Sequence, residues 1–511
     1  MPHALLRTGF LLALCSCVCT GFWMSAERIA GRSDLELAML ERMVSGGGEA
    51  APLAEQLQQS PGLQPLLLRR ALTEGRFAAA LDAIATLPPE RQQQLGGWTS
   101  RLRDEARDDG VRRLFDRHGR PILAEGAVAA PAELVPQVLV EALDALEPGA
   151  AARPTLDLRL SRDLSEPLAR AVEGLRSRSA AGTVVVLSAH SGELLAAVST
   201  APEGPTHQAL LQQREPASIA KLITTNATYR AGLDADSEIA AMRCDGAVRF
   251  GREPLWCPSV QGALLGLDDA MASSCNVAFA ELGRRIGPER LLAEYERFGF
   301  RLAGAGEARL GYVPETALSA RQFGDLSVGL NHVEITPLHA ALLARTMVDG
   351  VWRPARLLRS RTGRTGRSAR ALGRPLVEAD PLASSSLGAD LGRFDGEVLI
   401  EPDVLPLLQR SMRGVVRSGG TANGVAPWGL PVAMKTGTGR TWNEGFHVNY
   451  IGYTGEGHTG EGRASAADVA FSVRLVGGRS SRWVRREARQ LTAELLRILA
   501  QRHRSVPELA T

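Results

Sequence analysis

The sequence predicts an α+β protein, a mostly antiparallel sheet flanked by helices, with an all-helical segment ahead of it. Three observations predict this. GTVVVLSAHSGELLAAVST (182–200) is two β-rich runs around His-Ser-Gly, the pattern of a hairpin. PVAMKTG, HVNYIGYTG and ADVAFSVRLVGG follow one another between 431 and 478 and read as three more strands. Helical and loop segments fill the space between, and SRWVRREARQLTAELLRILAQ closes the domain as an amphipathic helix. Strands at both ends with helices between them describe one sheet covered by helices.

Gross composition narrows the function. A chain of 511 residues is too long for one compact core and suggests two or three domains. Hydrophobic residues at 44% and charged residues at 23% are those of an ordinary globular protein. A net charge of +3, with no basic stripe interleaved with aromatics, argues against a nucleic-acid partner. The nine histidines show no metal-binding spacing, so no metal and no cofactor is expected, and His447 and His332 read as satisfied structural residues.

Residues 1–26 hold Arg7 and then an apolar run from about Gly9 to Met24, which fits a signal peptide or a short membrane anchor. Cysteines 15, 17 and 19 lie in it, and LCSC, ending at Cys17, loosely resembles a lipoprotein acylation site. Anchoring, cleavage and lipidation at Cys17 stay open. Residues 27–112 read as short helices: LELAMLERMV, LQPLLLRRAL, GRFAAALDAIATL and ERQQQLGGWTSRLRDEAR all space apolar residues by three and four. Residues 113–154 form a connector that begins with a strand–turn–strand, RLFDRHGRPILAEG, and continues rich in Ala and Pro. The main domain covers 155–505, and TLDLRLSRDLSEPLARAVEGL runs from alternating apolar residues into an amphipathic helix. Residues 360–397, rich in Arg, Gly and Ser, read as a mobile surface insertion.

An exported chain meets conditions in which disulfides form. Cys244 and Cys257 flank the loop CDGAVRFGREPLWC and are expected to pair, closing a small loop for about 3 kcal/mol. Two free buried cysteines are the alternative.

Only two of the 59 basic residues are lysine, Lys221 and Lys435. Arginine keeps its proton in any protein site, whereas a desolvated lysine loses it and acts as a base. In EPASIAKLITT a helix opens near Ser218, and Ser218 and Lys221, three apart, share one face. The amine can then activate the hydroxyl as a nucleophile, and the helix N-terminus favours a developing anion. MASSCNVAFAEL places Ser274 and Asn276 on an interhelical loop, a hydroxyl and an amide able to relay a proton and hold a peptide carbonyl. Lys435-Thr436-Gly437-Thr438 lies on a strand. Gly437 would admit a substrate backbone, and the Thr438 and Ser218 amides could form an oxyanion hole. Two nearby buried amines depress each other's pKa. Trp442, just beyond, walls the cleft or packs.

S-x-x-K, S-x-N and K-T-G in this order resemble the transpeptidase domain of penicillin-binding proteins. AGTVVVLSAHSGELLAAVS, REPASIAK, GLNHVEITPLHAALLARTMVDGVWRPARLL, RSMRGVVRSGGTANG and NYIGYT are similar to further pieces of that domain, over residues 155–500. FDRHGRPIL, TLDLRLS and the two-cysteine loop before SCN resemble the monofunctional, class B branch. No lysozyme-like glycosyltransferase motif precedes the domain, and the family's pedestal looks reduced to FDRHGRPIL and the helical segment.

The resemblance implies Ser218 as acylated nucleophile, Lys221 as its base, Ser274 as relay and Asn276 as peptide ligand. Lys435 and Thr438 would take the substrate's carboxylate and carbonyl, with Thr436 and Gly437 beside them. It further implies cross-linking of peptidoglycan stem peptides, acylation by β-lactams, an envelope location at the inner membrane, and a cell-wall synthesis machinery as possible partner. A D,D-carboxypeptidase or β-lactam hydrolase uses the same apparatus, and differs in letting water attack the acyl-enzyme. A non-catalytic peptidoglycan-binding scaffold is the third reading, against which the two retained lysines argue.

Overall fold

The computed structural model describes residues 155–200, 212–302, 310–314, 319–356, 396–441, 445–457 and 468–505, with short pieces before 155 and at 358–359. The apolar segment 1–26 with Cys17, most of the 27–112 region, residues 129–152, Trp442 and nearly all of 360–397 lie outside the described residues. The chain divides into two compact units, 1–127 and 128–511. In the first, Pro89–Gln94 is helical, Leu67, Leu68, Ile84 and Leu87 are buried, and strands Leu114–Phe115 and Pro121–Ala124 pair antiparallel.

The second unit is built on one sheet. Among its elements, those that build the sheet and hold the site are α1 (Leu158–Gly174), β1 (Ala181–Ser188), β2 (Leu194–Thr200), α2 (Lys221–Arg230), α3 (Leu267–Ser273), α4 (Asn276–Ile286), α5 (Ala320–Val328), α6 (Pro337–Asp349), α7 (Leu405–Val416), β3 (Val432–Thr441), β4 (Gly445–Thr454), β5 (Val469–Gly478) and α8 (Ser481–Ser505). The strand order is β3-β4-β5-β1-β2, and every neighbour pairs antiparallel. The expected α+β class is the observed one. The terminal hairpin and the C-terminal strands meet because β5 pairs with β1, Val473 opposite Val184.

Alternation along β5 explains the two covered faces. Leu475 lies beside Leu168 and Val172 of α1, around Gly182, where an added Cβ would stand 2.7–2.8 Å from all three side chains. Ser472 and Arg474 point the other way. The Ser472 hydroxyl donates to the Pro337 carbonyl at the start of α6 (2.7 Å), and an Arg474 N–H donates to the Ile335 carbonyl (2.8 Å). So α1 and α8 cover one face, and α6 and the site-bearing helices the other. Asp157 caps α1 by accepting from the Leu160 N–H (2.9 Å) and pairs with Arg502 of α8 (2.7 Å), locking the two outer helices together. Thr336 caps α6 ahead of Pro337, a helix start written in sequence.

Candidate active site

Ser218 lies in a 3-10 turn, Ala217–Ala220, that runs directly into α2 at Lys221. Residues three apart stand over one another in such a turn, so the two side chains share a face. Ala217 has φ +51°, the left-handed region, which costs a non-glycine residue about 1–2 kcal/mol. The surroundings hold it there. The Ala217 N–H donates to the Gly329 carbonyl (2.7 Å). Asn449 Nδ2 donates to the Glu215 and Pro216 carbonyls (3.1 and 3.3 Å), and His447 Nε2 meets the Glu215 carbonyl at 3.0 Å.

Gly437 completes the support, for a reason other than the expected one. A Cβ there would stand 2.6 Å from the Pro216 carbonyl oxygen and 3.3 Å from the Ser218 nitrogen. Its missing side chain admits the protein's own nucleophile turn, not a substrate backbone. Behind Asn449, Arg474 Nε donates to Asn449 Oδ1 (2.7 Å), and its other nitrogens reach the Gln212 and Ile335 carbonyls. Burial lowers the Arg474 pKa to about 9, so it stays charged at neutral pH. Burial, with Arg474 adding, lowers His447 to about 3, so it is a neutral ring held by Glu215 and Thr441. His447 is thus structural, as expected; His332 lies exposed in a left-handed turn.

Lys221 is fully buried. Its amine donates to the Ser274 carbonyl (2.7 Å) and Asn276 Oδ1 (2.7 Å), and lies 3.2 Å from Ser274 Oγ. Burial lowers its pKa to about 7. A neutral amine has two hydrogens, which the two carbonyl oxygens at 2.7 Å take up, leaving its lone pair free to accept a proton. Lys435 is also fully buried, and its amine donates to Ser274 Oγ (2.9 Å) and the Thr436 carbonyl (3.0 Å). Burial, and then the neighbouring Lys221, holds it well below the usual lysine range. Ser274 therefore bridges two lowered amines. Its φ of +57° makes it the left-handed end of α3, while Asn276 opens α4. That reversal turns both side chains towards Lys221.

Lys435 was expected to meet a substrate carboxylate, but its amine is enclosed by Ser274 and its own strand. Thr436 Oγ1 donates to Thr421 Oγ1 (2.7 Å), tying β3 to the loop after α7. Thr438, immediately after K-T-G, is half-exposed where those three are buried. β3 is an outer strand of the sheet, so one row of its backbone groups is free of sheet pairing.

The three cysteines beside this site are free thiols, and the expected Cys244–Cys257 bond is not formed. Cys257 also stands beside Cys275, sulfur to sulfur 3.7 Å, because Cys275 immediately precedes α4. All three sulfurs lie within 4.8 Å of one another.

A family model for the penicillin-binding protein transpeptidase domain matches residues 182–459. The chain belongs to this family. The peptidoglycan D,D-transpeptidase PbpA of Mycobacterium tuberculosis is 26% identical over 204 residues, 33% of this chain and 41% of that protein. Penicillin-binding protein PbpB of Mycolicibacterium smegmatis is 24% identical over 315 residues, 57% of this chain and 45% of that protein. The chain thus spans less than half the length of these relatives. Penicillin-binding protein 3 of Mycobacterium tuberculosis, solved with aztreonam, superposes with a TM-score of 0.53 at 18% identity, over 78% of this chain and 89% of that one. The transpeptidase domain of Burkholderia pseudomallei penicillin-binding protein 3 gives 0.53 at 16%, over 70% and 97%.

Within this transpeptidase fold the structure brings together Ser218, Lys221, Ser274, Asn276 and Lys435 from three separate segments. Sequence reasoning missed Asn449, Arg474, Glu215 and Thr421. One signal was present: Arg474 is a lone charge inside VAFSVRLVGG, an otherwise apolar buried strand.

Proposed function

We propose that the chain is an exported peptidoglycan D,D-transpeptidase that works through an acyl-Ser218 intermediate and is acylated by β-lactams. The observation that carries this is the pair of buried, lowered amines joined through Ser274 beside the Ser218 turn. Lys221 accepts the Ser218 proton as Oγ attacks the carbonyl of a D-Ala-D-Ala peptide. The Ser218 and Thr438 amides stabilise the oxyanion. Ser274, linked to both lysines, passes a proton to the departing D-Ala amine. The stem peptide lies extended along the free edge of β3, pairing with backbone groups there, and Asn276 and Thr438 orient it. A second stem-peptide amine then takes the acyl group from Ser218. Lys435 supports this from below by holding Ser274 and its field. The apolar N-terminal segment holds the domain at the outer face of the inner membrane, near the wall-synthesis machinery. Among the described residues no helix is long and apolar enough to cross a membrane.

Mass spectrometry of the protein after incubation with penicillin, beside Ser218→Ala, tests the reading. A stable adduct on the Ser218 peptide, absent from the variant, is expected. Penicillin consumed without an adduct points to a hydrolase, and intact penicillin without an adduct to a scaffold.

A further inference from the structure

The thiol cluster is used by no step above, yet it touches the site. Cys244 and Cys275 are buried and Cys257 is half-exposed. Cys257 Sγ accepts the Asn276 backbone N–H (3.3 Å), at the first residue of the eleven-residue α4. It also lies 3.7 Å from Cys275 Sγ. The Asn276 N–H aimed at Cys257 Sγ stabilises negative charge on that sulfur, so when the pair loses a proton the charge settles on Cys257 rather than on Cys275. Hydrogen bonding from Cys275 holds the Cys257 thiol well below its usual range, and the same bond, with burial, pushes Cys275 up. The pair is therefore a half-exposed thiol that ionises more readily and a buried thiol 3.7 Å from it, the arrangement of an attacking and a resolving cysteine.

We propose that Cys257 is a thiol-modification site that exchanges with small-molecule disulfides and closes onto Cys275. The Cys257 thiolate attacks one sulfur of the external disulfide; that S–S bond breaks and one thiolate leaves, taking a proton from solvent. The negative charge beside Cys275 is then gone, so Cys275 releases its proton more readily. It attacks Cys257 Sγ, and the second external thiolate leaves. Two protein thiols are oxidised and one disulfide is reduced to two thiols.

The new bond reaches the site through its neighbours. Closing it draws the sulfurs from 3.7 Å to about 2.05 Å and takes the acceptor away from the Asn276 N–H. Asn276 Nδ2 donates to the Trp256 carbonyl (2.7 Å), and its Oδ1 accepts from Lys221 (2.7 Å). Both residues flanking the bond are thus tied to the amine that serves as base. The oxidised form acylates about tenfold more slowly, the effect of one lost hydrogen bond at the base. This coupling rests on the proposed acylation of Ser218; the modification itself does not.

The test incubates the full chain with oxidised glutathione and reads intact mass, cysteine-linked peptides and the penicillin acylation rate. The expected product has lost two hydrogens, links the Cys257 and Cys275 peptides, acylates more slowly, and recovers with dithiothreitol. Cys275→Ser stops at a stable glutathione adduct on Cys257, and Cys244→Ser leaves the Cys257–Cys275 product in place. Wild-type peptide mapping decides the matter even where a variant fails to fold. An unmodified Cys257, a product linking Cys257 only to Cys244, or a stoichiometric metal ion shielding all three thiols would overturn the proposal. An oxidised protein acylating at the unmodified rate would remove the coupling, while a protein that never takes penicillin but forms the bond would fault the enzyme reading instead.

Discussion

Replacing Lys221 with arginine removes the base and fixes a positive charge in its place. Lys221 has a pKa lowered to about 7 by burial, so at pH 8 most molecules carry a neutral amine one turn from Ser218. Guanidinium keeps its proton, and its larger head must fit where two oxygens already stand 2.7 Å from the amine nitrogen. Loss of a general base costs about 10²–10⁴ in rate. The assay is the second-order rate of Ser218 acylation by a chromogenic cephalosporin, measured from pH 5.5 to 9. For the wild type, the rate rises with pH and levels off above the Lys221 pKa. At pH 6 it is about one-tenth of the plateau, because one unit below its pKa only about a tenth of a base is unprotonated. Lys221→Arg is at least a hundredfold slower at pH 8 and has lost this rise. Lys221→Met behaves alike, which separates the missing base from the fixed charge of arginine. An arginine variant within tenfold of the wild type, or a wild-type rate flat from pH 6 to 9, would refute the assignment.

The remaining predictions concern the supports of the same turn. Gly437→Ala sets a Cβ 2.6 Å from the Pro216 carbonyl oxygen, so acylation falls roughly a hundredfold, in line with an ångström-scale misplacement, while circular dichroism still reports a folded protein. Ala217→Gly relieves the φ of +51° and stabilises the fold by about 1 kcal/mol in urea unfolding, with a slower acylation from the loosened turn. Asn449→Ala takes the acceptor from Arg474 Nε and the Asn449 donor from the Glu215 and Pro216 carbonyls, of which Glu215 keeps His447; it destabilises by about 2–3 kcal/mol and slows acylation, and an acylation rate equal to the wild type would show that the turn holds itself. Stability should also rise with pH between about 7 and 9. There the unfolded chain keeps the Lys221 proton and the folded protein has released it, and the lowered Lys435 acts in the same sense. A melting temperature that falls over this window would contradict neutral buried lysines.

Much of the site is legible in the sequence because its chemistry is local. Ser218 and Lys221 are one turn apart, and Ser274 and Asn276 are two positions apart, so secondary structure alone brings each pair onto one side. The rarity of lysine in an arginine-rich chain marks both amines by residue type alone. Strand alternation and helical spacing likewise announce β1, β2 and α8 as local patterns.

What the sequence by itself determined is therefore the fold class, the order of the three motifs and the identity of the groups able to do acyl chemistry. Only the tertiary structure decided which way those groups turn. It directed Lys435 to Ser274, set Gly437 against the Pro216 carbonyl, ran Arg474 through Asn449 to the nucleophile turn, and brought Cys275 to the two cysteines of the loop. Each of these contacts depends on the direction of a side chain across a long sequence separation. Such directions follow from the pairing of β3, β4 and β5 and from helix packing on that sheet, whereas residue type and spacing report only what lies within a turn or a strand.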